Sequence, residues 1–307
     1  MILALLGPTG IGKSEVALSV AQRIPSEIVS VDSMQVYRGM CIGTGKPPLA
    51  VREKIPHHGL DLVEPEEEFD VARYVAAVRP AVEGILARGL TAVLAGGSGL
   101  YLRGLLEGIC PAPGKDRSIR DRLLAEAHEN GLGALYARLQ TVDPEAAARI
   151  HPNDLRKMCR ALEVYQASGR PLSDWQKETV SPFEAGHELL LVGLTCSRKF
   201  LYQRIEERID GWIAQGWLEE ARVLCKRPLS QTARGALGYR ELFAHLSGQT
   251  DWDTTVSLIK QNTRRYAKRQ WTWFRADSRI QWISVDDSAP QTVAETILEQ
   301  VRCLTPQ

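Results

Sequence analysis

The stretch GPTGIGKS, residues 7–14, limits the fold of this chain more than any other feature of its sequence. It matches the pattern G-x-x-x-x-G-K-[ST], with a short apolar run before it at residues 2–6 and apolar residues at helical spacing after it at 12–24. In this context the pattern predicts a phosphate-binding loop, because its glycines let backbone N–H groups point inward beside a helix N-terminus. A chance glycine-rich turn is the alternative, and the agreement of strand, loop and helix disfavours it. The motif selects phosphate groups and no particular reaction, since the proteins that contain it include kinases, ATPases and GTPases.

Further apolar runs predict a parallel sheet flanked by helices. Strands are expected at residues 2–6, 27–32, 91–97, 188–194 and 279–285. Helical spacing at 12–24 and 69–89 separates the first three, and strands that alternate with helices are typical of an α/β fold. The predicted fold class is therefore α/β, with a core like that of the P-loop NTPases.

Residues 115–180 differ from this core. They are charged, interrupted by Gly and Pro, and show helical periodicity without any strand-like run. We expect an all-helical insertion there. The predicted domains are residues 1–114 as the first part of the core, 115–180 as the insertion, and 181–307 as the rest of the core with C-terminal helices.

Charge and cysteine content narrow the function classes. The formal net charge is +1, so a nucleic-acid partner needs a local basic patch rather than a global field. The 6 cysteines form no C-x-x-C pair, which is typical of a reduced protein and argues against a zinc ribbon. The predicted first strand leaves no room for a leader peptide, and no apolar run approaches the ~20 residues of a membrane span. We expect a soluble, cytoplasmic protein without a membrane partner.

Asp32 ends the predicted strand at 27–32. The carboxyl ends of parallel strands face the ligand crevice, so this carboxylate is expected beside the phosphate loop. It can serve there as a Mg²⁺ ligand, as a general base, or only as the cap of a turn. The following turn, CIGTGKP at 41–47, carries Thr44 and Lys46 and would suit a second anionic contact, although such turns are common on surfaces.

Several motifs, taken in order, resemble those of the bacterial tRNA dimethylallyltransferases, the enzymes that prenylate the adenosine just 3′ of the anticodon. They are GPTGIGKS, DSMQVYRGM, IGTGKP, PHHGLDL, FDVARY, GGSGLYLRGLL, HPNDLRKMCRALEVY and KRQWTWFR. The resemblance runs from about residue 2 to residue 285. DSMQVYRGMCIGTGKP is far more specific than the phosphate loop.

The resemblance implies that the loop binds the pyrophosphate of dimethylallyl diphosphate with Mg²⁺, and that no triphosphate is hydrolysed. It implies that Asp32 is the general base, and that Ser14 is the magnesium ligand. Arg208 is implied as a further catalytic contact of the pyrophosphate. Composition alone would place Arg204 and Arg208 on one solvated helix face, paired with acidic neighbours. The resemblance changes this interpretation for Arg208 only. The implied diphosphate-binding residues are Gly7, Pro8, Thr9, Gly10, Ile11, Gly12, Lys13 and Ser14.

The resemblance also implies contacts with the anticodon stem-loop of tRNA. The target adenosine must flip out to reach Asp32, at a cost of a few kcal/mol, and Ser33 and Gln35 are placed to read it. The implied tRNA-binding residues are Asp32, Ser33, Met34, Gln35, Ser98, Arg120, Arg156, Lys157, Met158, Cys159, Arg160, Gly235, Ala236, Leu237, Gly238, Tyr239 and Arg240.

One catalytic position departs from the family pattern. Family members usually have Gly-Gly-Thr where this chain has GGSG at 96–99. Ser98 keeps the hydroxyl that contacts the pyrophosphate or the target nucleotide, so its role should survive. We expect Ser98→Thr to be nearly neutral.

Residues 260–275 form the basic patch that an RNA substrate requires, because they contain no acidic residue. The basic residues are Lys260, Arg264, Arg265, Lys268, Arg269 and Arg275. Lys260, Arg264 and Lys268 recur at helical spacing and form a stripe. We expect some of the aromatic residues between them, Tyr266, Trp271, Trp273 and Phe274, to pack in the core and others to meet bases.

Other readings of the sequence are weaker. Asp286-Asp287 does not continue into a D-D-x-x-D motif, so a chain-lengthening prenyltransferase is not predicted. His57, His58 and His151 are expected to be structural rather than metal ligands. The rivals are a small-molecule or nucleotide kinase, an RNA-binding P-loop ATPase, and a prenyltransferase of free adenine nucleotides. A kinase would need neither the basic stripe nor the insertion. We expect a monomer.

Overall fold

The computed structural model describes residues 1–183, 186–286 and 288–304. Asp287, the second residue of the Asp-Asp pair, lies outside the described residues. The chain forms two compact units, one of residues 1–105 with 185–307 and one of residues 106–184.

The first unit is built on a 6-stranded parallel sheet. Its strands are β1 Ile2–Leu6, β2 Ser26–Val31, β3 His57–His58, β4 Thr91–Gly96, β5 Leu189–Thr195 and β6 Gln281–Ser284. Their order across the sheet is β3-β2-β4-β1-β5-β6. The predicted α/β class is confirmed, and all the predicted strands form. β3 is not predicted, because two residues are too few to show a periodicity.

The helices, in chain order, are α1 Lys13–Ala21, α2 Leu49–Arg52, α3 Val71–Ala87, α4 Gly99–Glu107, α5 Arg117–Val142, α6 Pro144–Arg149, α7 Leu155–Ser168, α8 Leu172–Lys177, α9 Arg198–Ala214, α10 Trp217–Leu224, α11 Gln231–Arg234, α12 Tyr239–Leu246, α13 Trp252–Arg275 and α14 Pro290–Leu304. None of them, within the described residues, combines the length and the apolar character of a membrane-spanning segment.

The sheet brings the predicted functional loops together. Residues Ile2–Leu6 are at most 1% exposed, since helices cover the sheet, and this burial explains the continuous apolar run. Gly96 pairs with Leu6 on one side and with Val31 on the other. The carboxyl ends of β1, β2 and β4 are therefore level, and the segments that follow them meet at one edge.

Helix α13 has one buried face. The Asp251 side chain caps its first turn by accepting the Thr254 N–H at 2.8 Å. Its buried positions recur every three or four residues, as an amphipathic helix requires. They are Thr255, Ile259, Thr263, Ala267, Gln270 and Phe274.

The described part of the second unit contains helices and no strands, in agreement with the predicted helical segment. Helix α5 is interrupted at Gly131, whose φ is 77°. The Asp143 carboxylate ties two helices together, because it accepts the N–H of Ala146 in α6 at 2.9 Å and that of Ser173 in α8 at 3.0 Å.

Candidate active site

A cavity of about 290 Å³ lies at the carboxyl edge of the sheet. Its walls come from the segments after β1, β2 and β4 and from α9 and α13. They comprise Thr9, Gly10, Gly12, Lys13, Ser14, Glu15, Asp32, Gln35, Thr44, Gly45, Ala95, Gly96, Gly97, Arg204, Arg208, Trp212, Tyr266 and Gln270. The structure therefore brings Asp32 and Arg208 together with the phosphate loop. Ser98 follows a wall residue, and it is not itself among the described wall residues.

The phosphate loop fits closely against α9. Gly10 has a φ of 86°, and a Cβ there would come within 2.8 Å of Ile205 Cγ1. Helix α1 begins at Lys13, directly after the loop. The N-terminus of that helix favours an anion, because its first N–H groups have no partner within the helix.

Lys13 lies inside the loop. Its Nζ donates to the carbonyl oxygens of Gly7 at 2.9 Å and Pro8 at 2.8 Å. The pKa of Lys13 is lowered to about 7, chiefly by burial and then by the positive charge of Arg208, while the negative charge of Asp32 acts in the opposite direction. A ligand anion in the loop would favour the charged form of this amine.

The Asp32 carboxylate uses one oxygen to hold a turn. Oδ1 accepts the N–H of Met34 at 2.8 Å and that of Gln35 at 3.3 Å. Among the described residues, no hydrogen-bond donor contacts Oδ2. Asp32 therefore caps the turn, one of the three roles that the sequence left open, through Oδ1 alone, and Oδ2 is available to a ligand.

Arg208 reaches the loop from α9. Its Nη2 donates to Thr9 Oγ1 at 2.7 Å, and its guanidinium lies 4.5 Å from the centre of the Trp212 ring. Its Nε is buried and has no partner in the described part of the chain. Burial and the charge of Arg204 lower the pKa of Arg208 to about 10, while Asp32 and Glu15 raise it.

Arg204 also belongs to the site, which sequence reasoning missed. Its Nε donates to Gly10 O at 3.1 Å and its Nη2 to the Glu15 carboxylate at 3.1 Å. The expected pairing with the acidic residues of its own helix does not form, because Glu206 binds Arg264 of α13 instead. The spacing of four residues from Arg208 was the available signal.

Gln270 is a second residue that sequence reasoning missed. Its Oε1 accepts the N–H of Thr9 at 2.8 Å, and its Nε2 donates to Gly97 O at 2.9 Å. The side chain thus joins the loops that follow β1 and β4. Only its place in KRQWTWFR, at a buried helical position, could have indicated it. On the same helix, burial and then the charge of Asp32 raise the pKa of Tyr266 to about 12.

The residues predicted to read the flipped base are held by the protein itself. Ser98 Oγ accepts the N–H of Ser33 at 3.0 Å. Gln35 Oε1 accepts from Ser30 Oγ at 2.7 Å, and its Nε2 donates to Thr44 O at 3.0 Å. A base can bind the Gln35 amide only in exchange for these bonds.

The proposed second anionic contact at 41–47 is wrong for Lys46. Its side chain is 0% exposed, and its Nζ donates to Tyr37 O and to Asp61 Oδ1 at 2.6 Å each. Thr44 lines the cavity, and its hydroxyl donates to Met40 O at 2.7 Å.

In the helical unit, two of the predicted RNA contacts bind a buried acid. Glu163 is 0% exposed and lies 2.7 Å from Arg120 Nη2 and 3.4 Å from Arg160 Nη1. Its other oxygen accepts the N–H of Asp116 at 2.7 Å. These contacts give both arginines a structural role within the unit.

The segment 156–160 divides between surface and core. Met158 and Cys159 are 0% and 2% exposed, so their side chains pack inside the unit and offer no surface to RNA. Arg156 and Lys157 are exposed, and Lys157 pairs with Asp154 at 3.0 Å.

The segment 235–240 divides in the same way. Ala236 and Tyr239 are buried, and the Tyr239 hydroxyl contacts Glu220 rather than solvent. Arg240 is exposed, and its Nε donates to Glu241 at 2.7 Å.

The basic stripe of α13 is partly neutralised. Lys260 lies 2.7 Å from Asp210 and Arg264 lies 2.5 Å from Glu206, both on α9. The exposed basic side chains of the segment are Arg265, Lys268, Arg269 and Arg275. Phe274 is core, whereas Trp273 is 43% exposed.

The two adjacent histidines have protein partners. His58 Nε2 lies 2.7 Å from Glu27 and His57 Nδ1 lies 2.7 Å from Ile55 O. No group of three or more His, Cys, Asp or Glu side chains that could hold a metal occurs in the described ranges.

The sheet, the phosphate loop and the cavity define an α/β protein of the P-loop class. Its family emerges from comparison with known proteins. The profile of the IPP transferases matches residues 35–277, and that of the isopentenyl transferases matches residues 1–55. A tRNA dimethylallyltransferase of Geobacter metallireducens is 48% identical over 284 residues, which are 92% of each chain.

Solved structures agree with this match. The full-length tRNA isopentenylpyrophosphate transferase of Bacillus halodurans has a TM-score of 0.70 at 34% identity, over 98% of this chain and 96% of that one. A eukaryotic dimethylallyltransferase acting on tRNA has a TM-score of 0.77 at 28% identity, over 92% of this chain and 73% of that one. The chain belongs to the IPP transferase family, as its motifs predict, and thereby to the tRNA dimethylallyltransferase class of enzymes.

Proposed function

We propose that this protein transfers the dimethylallyl group of dimethylallyl diphosphate to the exocyclic amine of the adenosine 3′-adjacent to the anticodon in tRNA, with release of diphosphate. The observation that carries the proposal is the cavity itself. Its walls combine an anion-binding loop, two arginines and the carboxylate of Asp32. One cavity therefore contains both groups that can bind a leaving diphosphate and a carboxylate that can accept a proton.

The phosphate loop is the proposed diphosphate site. Lys13, Arg204 and Arg208 bring positive charge to it, and the lowered pKa values of Lys13 and Arg208 reflect burial and the proximity of like charges. A diphosphate offers acceptors to the unpartnered Arg208 Nε and counters this repulsion. As the bond to the prenyl carbon breaks, the same groups stabilise the charge that develops on the leaving oxygen.

The donor set also fits Mg²⁺. This ion prefers oxygen ligands and commonly takes only one or two from the protein, with substrate phosphates and water completing its shell. The cavity offers the Ser14 hydroxyl and the Glu15 and Asp32 carboxylates. We propose Ser14 as the protein ligand. A bound Mg²⁺ would neutralise charge on the departing diphosphate.

Asp32 is the proposed general base. The adenine amine is a poor nucleophile, because its lone pair is delocalised into the ring. As its nitrogen bonds to the first carbon of the dimethylallyl group, the carbon–oxygen bond to diphosphate breaks and one amine proton passes to Asp32. Positioned proton transfer of this kind contributes about 10²–10⁴-fold to the rate.

The proposed partner is the anticodon stem-loop, and the proposed location is the cytoplasm, with the protein acting as a monomer. The exposed cations Arg265, Lys268 and Arg269 support the RNA partner, because phosphate contacts dominate RNA affinity. Arg156 and Lys157 of the helical unit are further exposed cations available for phosphate.

Incubation with labelled dimethylallyl diphosphate and Mg²⁺ tests the function. Separate reactions contain tRNA, AMP, or ATP alone. We expect label only in tRNA, at the adenosine beside the anticodon. Label in AMP would indicate a prenyltransferase of free nucleotides, and ATP turnover without label transfer would support a kinase or an RNA-dependent ATPase instead.

A further inference from the structure

Glu220 of α10 holds a loop that forms part of the cavity wall. Its carboxylate accepts the backbone N–H groups of Cys41 and Ile42 at 3.0 Å each, and that of Gly43 at 3.5 Å. Tyr239 completes the arrangement, since its hydroxyl donates to Glu220 and accepts the Gly43 N–H at 3.2 Å. Hydrogen bonds from N–H groups to an ionised carboxylate are stronger than those between neutral groups.

Trp217 supports the loop from beneath. It is 1% exposed, and its ring packs edge-on against Tyr239 with the ring centres 5.7 Å apart. A Cβ on Gly43 would lie 2.0 Å from Trp217 Nε1, so only glycine permits this contact. The loop therefore rests directly on a close-packed aromatic layer and is held in one position.

The loop in turn supports the part of the cavity wall that contains Gln35 and Asp32. The carbonyl oxygens of Thr44 and Gly45 accept from Gln35 Nε2 at 3.0 and 3.3 Å. The backbone N–H of Gln35 donates to Asp32 Oδ1 at 3.3 Å. The position of the turn that carries Asp32 thus depends, through Gln35, on the position of the loop.

The loop also supports the leaving-group side. Gly45 packs on Trp212, because a Cβ there would lie 3.1 Å from its Cζ2. The Trp212 ring lies 4.5 Å from the Arg208 guanidinium, which contacts Thr9 Oγ1. One loop therefore touches the supports of both Asp32 and Arg208.

We propose that Glu220 and Tyr239 are positioning residues of the transfer reaction, which fix loop 41–45 and through it the Asp32 carboxylate and the Arg208 guanidinium. The inference rests on the proposed function. It assigns Tyr239 an inward role, in place of the tRNA contact expected from the sequence.

The test compares Glu220→Ala, Glu220→Gln and Tyr239→Phe with Glu219→Gln as the matched control. Glu219 is the exposed neighbour of Glu220 on the same helix, and among the described residues the loop N–H groups donate to Glu220 and Tyr239 rather than to Glu219. We expect Glu220→Ala to lower kcat by about tenfold or more, since small displacements of catalytic groups are costly. Glu220→Gln should retain more activity than Glu220→Ala, because its amide keeps one acceptor and can donate to the Tyr239 oxygen.

Tyr239→Phe removes one hydrogen bond from Glu220 and one from Gly43, so we expect a smaller fall in kcat than for Glu220→Ala. Glu219→Gln should match the wild type. Binding of tRNA, measured without dimethylallyl diphosphate, should stay within about twofold in every variant, because no phosphate contact is removed.

A wild-type kcat in Glu220→Ala would overturn the inference, as would weaker tRNA binding with an intact kcat. If melting curves show that Glu220→Ala is unfolded, Tyr239→Phe and Glu220→Gln decide by the same criteria. Failure of the wild type to label tRNA would contradict the proposed function itself, whereas labelling that the variants leave unchanged contradicts only the positioning role.

Discussion

Lys13 links the phosphate loop to pH. Its pKa of about 7 means that the amine of the ligand-free protein is charged below neutrality and loses its charge as the pH rises. An anion favours the charged form, so ligand binding should raise this pKa. The affinity for dimethylallyl diphosphate should therefore fall as the pH rises above about 7.

Calorimetry in two buffers of different ionisation enthalpy measures this linkage. At about pH 8 the ligand phosphates, with a last pKa near 6, are already ionised, so we expect proton uptake by the protein on binding. Lys13→Ala should weaken binding and abolish the uptake. An equal affinity at pH 6.5 and pH 8.5, that is about two pH units apart, would contradict the assignment.

Ser98 tests how much of a side chain the site needs. Its hydroxyl accepts the Ser33 N–H, and that bond orients the segment after Asp32. Threonine keeps this oxygen and alanine does not. We expect Ser98→Thr to turn over within about tenfold of the wild type and Ser98→Ala to be slower than Ser98→Thr. Equal rates for the two variants would assign the hydroxyl no role.

Single residues show where sequence reasoning ends. The phosphate loop and Asp32 could be predicted because the signals that indicate them, a motif and the end of a strand, are local in the sequence. Gln270, Arg204 and Glu220 act across the fold, and their partners are distant in sequence; Glu220, for example, binds Cys41. Local periodicity carries no information about such pairs. It can place these residues on helices, but it cannot identify the residues that they contact.

Elements were easier to predict than their faces. The buried strands and the long helix α13 follow from apolar runs and spacing. The basic residues of α13 do lie on one helix at the predicted spacing, but two of them, Lys260 and Arg264, form ion pairs with acidic residues of α9. Whether a charged residue faces solvent or a neighbouring helix depends on the packing of two elements, which the sequence of one does not contain.

This difference predicts two behaviours along one helix. Lys268→Ala and Arg265→Ala should each weaken tRNA binding and reduce the slope of log K against log salt by about 1, because each exposed side chain is expected to meet a phosphate. Lys260→Ala and Arg264→Ala should leave that slope unchanged, because their charges are already paired with Asp210 and Glu206. Filter binding at several salt concentrations measures both. An equal loss in all four variants would argue against the distinction.

At the scale of the whole molecule, the helical unit has its own hydrophobic core, and a charged side chain is buried within the unit. Glu163 is fully buried there and is held by Arg120, Arg160 and the Asp116 N–H. A buried carboxylate that loses a partner is destabilising, because its desolvation is no longer compensated. The family resemblance implies that Arg120 contacts RNA, whereas its ion pair with Glu163 indicates that it stabilises the helical unit.

Arg120→Ala should therefore destabilise the helical unit by about 1.5–3 kcal/mol, a typical value for a hydrogen bond to a charged group. Hydrogen exchange of the full chain should quicken in peptides from α5 and α7. Arg156→Ala, on the exposed surface of α7, is the matched control and should leave exchange unchanged. Normal exchange in Arg120→Ala would show that the pair does not stabilise the unit.

The central claim is that Asp32 accepts the amine proton while the phosphate loop holds the leaving diphosphate. Asp32→Asn tests it most directly, because asparagine keeps an Oδ1 that can accept the N–H groups of Met34 and Gln35 and so preserves the turn. Single-turnover transfer and tRNA binding are measured on the same preparation. We expect transfer to fall by about a hundredfold or more, with tRNA affinity within about twofold of the wild type. Transfer at the wild-type rate would contradict the claim.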